Sequence, residues 1–214
     1  LRPDAQTGWD ACENASAQPV VAGNVGAGAG ATVGKVFGPE WAMRGGLGSA
    51  LISVGPWQVG ALVVCNALGD VVDPESGAIV AGARTSPQSL TPLNTTQALL
   101  RGQQPKALMA GTHTTIGVVA CNASLDKAQA QRLAVAGHDG LARTIRPVHT
   151  PMDGDTLFGL ATGTCALPPD LMLLGTMAAE AVAQATLQAV RSASGLRWGE
   201  RWWPAASDLN QRRG

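Results

Sequence analysis

The chain has no tyrosine, only two phenylalanines, and charged residues make up 14% of its 214 positions. No phenolic hydroxyl can therefore take part in any chemistry of this segment. Fifteen basic and fifteen acidic residues cancel. No polybasic run is present, which argues against nucleic acid or an anionic membrane as the main partner. No uninterrupted apolar run reaches about 18 residues, so a membrane-spanning helix is not expected. The first residues, Leu1-Arg2-Pro3-Asp4, do not read as a signal peptide. The four cysteines, Cys12, Cys65, Cys121 and Cys165, are widely scattered. They form no CxxC and have no histidine at metal-ligand spacing, so no metal and no cofactor is expected. Cys65 and Cys121 lie in apolar runs, where a thiol serves as a small hydrophobe. This usage suits a reducing, cytoplasmic setting.

Apolar residues, by contrast, reach 45%. That is enough for a sizeable core and unlike a disordered chain. The length allows one large domain or two small ones. Residues 4–18 read as a helix ended by Pro19, with Trp9, Cys12, Ala15 and Ala17 as its inward positions. Residues 47–54 and 57–66 flank Gly55-Pro56 and read as a hairpin. Residues 84–106, with three prolines, read as a long loop and a boundary between two halves. A strand over 115–120, a helix over 125–143 capped by Ser124, and a strand over 156–163 follow. A long helix then runs from Pro168-Pro169 to Ser194, stopped by Gly195. The tail with Trp198, Trp202 and Trp203 reads as non-helical, its aromatics docking on a neighbouring surface. The order predicts a layered α/β or α+β domain.

Three stretches carry candidate chemistry. The glycine-rich run 23–35 fails as a P-loop, since it has Ala29 and Val36 where glycine and Ser or Thr are needed. It fits a dinucleotide fingerprint only as Gly26-x-Gly28-x-x-Ala31, without the acidic residue about 20 positions on. Lys35 closes the run in a small-residue setting, where a lysine is often buried with a partner. Around 111–120, Thr114 and Thr115 stand at the entrance of a β-branched strand. Alone, that stretch has two readings: a strand that opens on threonines because threonine suits strands, or a chain cut before Thr114. In the second, the Thr114 hydroxyl is a nucleophile and its own α-amine the base. Asp153-Gly154-Asp155 likewise reads as an Asx-rich turn or as a coupled carboxylate pair that orients a nucleophile. Asn66, at a strand end, is a turn former or a donor aimed into a site. His149 is a candidate supporting group for the Asp pair, and His138 reads as structural.

Together, five motifs resemble the P1 family of peptidases, also called the DmpA family. They are Gly23 to Lys35, Arg44-Gly45-Gly46-Leu47-Gly48-Ser49-Ala50, Val59 to Pro74, Thr114 to Ala120, and Arg146-Pro147-x-His149-Thr150-Pro151-x-Asp153-Gly154-Asp155-Thr156. The resemblance implies an N-terminal-nucleophile-like hydrolase with an αββα sandwich, matured by self-cleavage. It matches Thr114 to the nucleophile, Lys35 to a lysine beside it, and Asn66 to an asparagine at the developing oxyanion. Asp153 and Asp155 match an acidic pair that aligns the threonine. Threonine with Asp-x-Asp is more similar to the nylon-oligomer endohydrolase branch than to the β-aminopeptidases, which use Ser and Ser-x-Glu.

The implied products of cutting between His113 and Thr114 are 1–113 and 114–214, two parts of one domain. The implied assembly is a homo-oligomer of cleaved heterodimers acting on small amides, linear amide oligomers or short (β-)peptides. A free α-amine has a pKa of about 7.7–8, suited to general-base duty, and a nearby Lys35 would lower it. Two departures stand out. His113 occupies a position that is asparagine in the nylon-hydrolase branch, and family members carry a further N-terminal region upstream of what is Leu1 here. The expectation is thus a truncated or shortened chain. The alternatives are an acyltransferase of the ornithine acetyltransferase type and a non-catalytic remnant.

Overall fold

The computed structural model describes residues 3–106 and 113–210. In chain order the elements are α1 (Ala5–Glu13), β1 (Thr32–Val33), β2 (Met43–Arg44), β3 (Gly46–Val54), β4 (Trp57–Cys65), β5 (Asp70–Val72), β6 (Ile79–Ala81), α2 (Thr95–Leu100), β7 (Ile116–Ala123), α3 (Lys127–Thr144), β8 (Ile145–Arg146), β9 (Thr156–Cys165), α4 (Leu171–Arg191), β10 (Leu196–Trp198), β11 (Arg201–Trp203) and α5 (Ala206–Asn210).

A four-stranded sheet in the order β3-β4-β7-β9 is the centre of the fold. β3, β4 and β7 pair antiparallel, while β7 and β9 run parallel. Parallel neighbours need a crossover, and α3 supplies it. Side chains alternate across the sheet. Val59, Ala61, Val63, Val119, Cys121 and Leu157 point to one face and are buried. α4 covers that face over β3 and β4, and α3 covers it over β9. The helix side of this core is rich in small residues, with Ala178, Ala181, Ala185 and Ala189 all buried. Small side chains let the helix lie close to the strands. On the opposite face Leu51, Ile116, Phe158 and Leu160 are exposed, Phe158 to 54%. A smaller sheet, β6-β5-β8, packs against α3 and α4.

The hairpin, both later strands and both long helices lie where their patterns placed them. Cys65 and Cys121 are buried and Lys35 is 4% exposed. Three local expectations need correction. α1 is shorter than 4–18 and buries nothing; Trp9 is 65% exposed. Its amphipathic pattern has no surface to pack on among the described residues. α3 is capped by Asp126, not Ser124. The Asp126 side chain takes the Gln129 amide, and the Gln129 side chain takes the Asp126 amide, so a reciprocal capping box outcompetes a lone serine. The 84–106 loop contains α2, started by Asn94 accepting from the Gln97 amide.

The tail forms a β10–β11 hairpin and then α5. Its aromatics do dock within the chain. The Trp203 indole donates to the Pro39 carbonyl, and the Arg84 and Arg197 guanidiniums lie against the Trp202 ring. The first two residues of the 111–120 stretch lie outside the described residues.

Candidate active site

Thr114 sits two residues before β7, and the Asp153-Gly154-Asp155 turn sits just before β9. Because β7 and β9 pair in parallel, the two segments arrive at the same end of the sheet. The pairing of Ile116 with Thr156 is continued by a bridge between His113 and Asp153 in the same register. Asp155 then falls beside Thr115. Its Oδ1 accepts the Thr115 amide at 2.8 Å, and the Thr156 amide donates to the Thr115 carbonyl at 3.0 Å. Gly154 falls beside Thr114. A Cβ on Gly154 would stand 2.7 Å from the Thr114 Oγ1, so only glycine leaves that hydroxyl its place. The turn itself is held by Thr150, whose amide and hydroxyl both donate to Asp153 Oδ2, at 2.9 and 2.8 Å.

Lys35 and Asn66 reach the same region from the other half of the chain. Gly34, at φ +74, turns the backbone in a conformation that glycine adopts without strain. The Lys35 amide then bonds to the Leu68 carbonyl, next to the end of β4. From there the Lys35 ammonium donates to the Asn66 backbone carbonyl at 2.8 Å and to Asn66 Oδ1 at 2.7 Å. The Thr32 amide also donates to Asn66 Oδ1, at 3.2 Å. With its side-chain oxygen taken twice, Asn66 turns N–H donors, not an acceptor, towards any other group.

Burial and charge set the protonation states. Burial pushes the Lys35 ammonium down from 10.5 to about 8, although Cys65, Asp153 and Asp155 pull the other way. Burial also holds the Asp155 carboxyl above its ordinary value. Asp153 adds to that shift, and the Thr115 amide and His149 oppose it. Buried His113 is lowered, first by desolvation and then by the Lys35 charge. Cys65, completely enclosed, is pushed up to about 12 and remains a thiol. Lys35 thus links Asn66, by hydrogen bonds, with His113, Asp153 and Asp155, by charge, and Thr114 lies at the same end of the sheet, against Gly154. His149, the candidate supporting group, also stands there, together with Thr115, Thr150 and His138, which the sequence left in the background. Thr115 supplies an amide to Asp155, Thr150 anchors Asp153, and both His149 and His138 stand behind Asp155. The Thr-Pro-x-Asp spacing at 150–153 is the signal that could have revealed the Thr150 bond.

No helix among the described residues is long and apolar enough to cross a membrane. Comparison with known proteins gives a consistent answer. Residues 2–198 match Peptidase family S58. The chain is 40% identical over 209 residues to an uncharacterized aminopeptidase of Mycobacterium tuberculosis (strain ATCC 25618 / H37Rv), covering 90% of this chain and 58% of that protein. It is 31% identical over 200 residues to a 6-aminohexanoate-oligomer endohydrolase of Paenarthrobacter ureafaciens, covering 87% and 56%. The chain therefore spans a little over half the length of the curated relatives it matches.

Among solved structures, a Burkholderia sp. beta-aminopeptidase superposes with a TM-score of 0.63 at 23% identity, over 96% of this chain and 58% of that one. The L-aminopeptidase D-Ala-esterase/amidase of Ochrobactrum anthropi, described as a variant of the Ntn hydrolase fold, gives 0.63 at 20%, over 96% and 56%. These two likenesses establish the fold. With its family match covering nearly the whole chain, this protein belongs to peptidase family S58.

Proposed function

We propose that the chain carries the catalytic core of an amide hydrolase whose nucleophile is the Thr114 hydroxyl, set free as an N-terminal residue by self-cleavage. The observation that carries the reading is the shared register of the two segments, which sets the Thr114 hydroxyl against Gly154, the residue that separates Asp153 from Asp155 in the chain. In maturation, Thr114 Oγ attacks the His113 carbonyl carbon. The C–N bond to Thr114 breaks, its nitrogen takes the proton that the hydroxyl gives up, and an ester joins residues 113 and 114. Water then hydrolyses the ester, leaving 1–113 with a carboxylate and 114–214 with a free amine.

That amine becomes the base in turnover. It takes the hydroxyl proton as Oγ attacks a substrate amide, and returns the proton to the leaving amine. Water cleaves the resulting acyl-threonine ester and regenerates the site. Asn66 N–H donors and the Lys35 ammonium are the groups assigned to the oxyanion. The Lys35 charge also lowers the amine's pKa and favours its neutral form. Asp155 fixes the backbone beside the nucleophile, and Asp153 fixes the turn around it.

The family name and the endohydrolase relative support small amides, linear amide oligomers or short peptides as substrates. Free cysteines, Cys12, Cys65, Cys121 and Cys165, support a reducing, cytoplasmic site of action. We assign the mature form to an oligomer of cleaved heterodimers. The test is hydrolysis of a panel of 6-aminohexanoate oligomers, β-peptides and amino-acid amides by wild type and Thr114→Ala. Hydrolysis lost in the variant supports the reading, and hydrolysis kept by it refutes it. Acyl transfer to amino acids in place of hydrolysis would instead mark an acyltransferase.

A further inference from the structure

Behind Asp155 runs a line of hydrogen bonds that the chemistry above does not use. Asp155 Oδ1 holds the Thr115 amide, and its Oδ2 lies 3.0 Å from His149 Nδ1. His149 Nε2 lies 3.3 Å from His138 Nδ1, on α3, with the two ring centroids 4.9 Å apart. The line therefore connects a helix of the outer layer to the amide next to the nucleophile. Asp155 is nearly enclosed, its side chain 4% exposed, whereas the His149 side chain is 38% exposed. The backbone of His149 has φ +51, in the left-handed region. A residue other than glycine is held there only where the surroundings impose it.

We propose that His149 is a positioning residue for the Thr114 chemistry, with His138 as its outer partner: together they fix the Asp155 carboxylate so that it holds the Thr115 amide. The inference rests on the reading of Thr114 as nucleophile. Proton logic gives it a signature. A carboxylate accepts, so His149 Nδ1 carries a proton. In the neutral pair, His149 Nε2 accepts and His138 Nδ1–H donates. When the pair takes one proton, His149 Nε2–H donates instead and His138 carries its own proton on Nε2. The line survives both states. A second proton sets N–H against N–H and breaks it.

The other charged or titratable groups near this line are Asp153, Lys35 and Cys65 at Asp155, and Asp139 at His138. Burial and the neighbouring His149 disfavour a proton on His138, and Asp155 and Asp139 favour it.

The experiment compares wild type, His149→Ala, His149→Asn and His138→Asn. The asparagine of His149→Asn can offer its Nδ2 where the imidazole offers Nδ1. His149→Ala should lower kcat about tenfold or more with little change in KM, as a mispositioned nucleophile does. His149→Asn should recover most of that loss, yet its acid limb of log kcat against pH should be shallower than wild type. His138→Asn should flatten the limb likewise. Hydrogen exchange gives a readout that needs no activity. The Thr115 amide should exchange about tenfold faster in His149→Ala, while the Val63 amide in β4 stays protected.

Unchanged Thr115 exchange in a folded His149→Ala overturns the inference. So does a kcat and acid limb equal to wild type. If wild type neither cleaves itself nor hydrolyses amides, the Thr114 reading fails, and Thr115 exchange alone decides whether His149 positions this segment.

Discussion

A Cβ placed on Gly154 would stand 2.7 Å from the hydroxyl oxygen of Thr114. That single contact ties the two motifs with the strongest chemical signals into one site. It also makes a direct prediction. Gly154→Ala must push the Thr114 hydroxyl or the turn aside, at an overpacking cost of about 1–3 kcal/mol. Self-cleavage should fall at least about a hundredfold, because displacing a nucleophile by about 1 Å costs that much. Time courses of fragment appearance on a denaturing gel measure it. Cleavage at the wild-type rate would show that the contact does not govern the nucleophile.

Lys35 and Cys65 predict an unusual stability profile. The folded Lys35 pKa lies at about 8, below its ordinary value of 10.5. The unfolded chain therefore binds more protons between those values, and stability rises as pH rises from about 8 to 10.5. Cys65 acts oppositely: its pKa rises from 9.0 to about 12, so the folded chain holds the proton longer and stability falls above pH 9.0. Urea unfolding should show a gain from about pH 8 to 9, a plateau to about 10.5, and a decline beyond. Lys35→Met should remove the gain, and Cys65→Val the decline. A wild-type curve that is flat from pH 8 to 9 would contradict the burial of Lys35.

Asp155 separates stability from chemistry. Its folded pKa is raised by burial, so the folded chain keeps a proton that the unfolded chain has released. Its contribution to stability is full at pH values below the ordinary carboxyl value and is lost as pH rises through the folded pKa. Asp155→Asn keeps an oxygen for the Thr115 amide and removes the buried charge. At neutral pH the variant should be as stable as wild type or more so, yet impaired in cleavage and turnover. Thermal melts alongside activity assays read both. A variant less stable at pH 7 and fully active would reverse the assignment.

Asp70 gives the contrasting case. It stands inside the Val59 to Pro74 motif, but its carboxylate is consumed by structure. Oδ1 accepts the Ala83 amide and the Thr95 hydroxyl, and Oδ2 accepts the Thr95 amide. Asp70→Ala leaves these buried donors without partners, at roughly 1–3 kcal/mol each. The variant should melt far below wild type; a melting temperature within a degree or two would show that Asp70 is dispensable to the fold.

The parts of this fold that were readable in advance are those whose physics is local. Gly55-Pro56 between two β-branched runs announces the β3–β4 hairpin, and the alternation in β4 announces its buried face. Lys35 among small residues was readable as a buried lysine. Its partner, Asn66, is 31 positions away, and only the family resemblance connected them. The misread parts depend on competition or on distance. Ser124 and Asp126 are both good caps, and Gln129 decides between them. The apolar positions of α1 have the right period but no surface opposite them. His138 and His149 meet only because α3 and the β8–β9 connection fold against each other. A single histidine on a helix carries no sign of that.

The most direct test of the central claim is the mass of the purified protein under denaturing conditions, with Thr114→Ala beside it. The account predicts that wild type separates into two polypeptides, 1–113 and 114–214, and that the variant stays one chain. A wild type that remains intact on prolonged incubation, or a variant that is cut at the same bond, would contradict it.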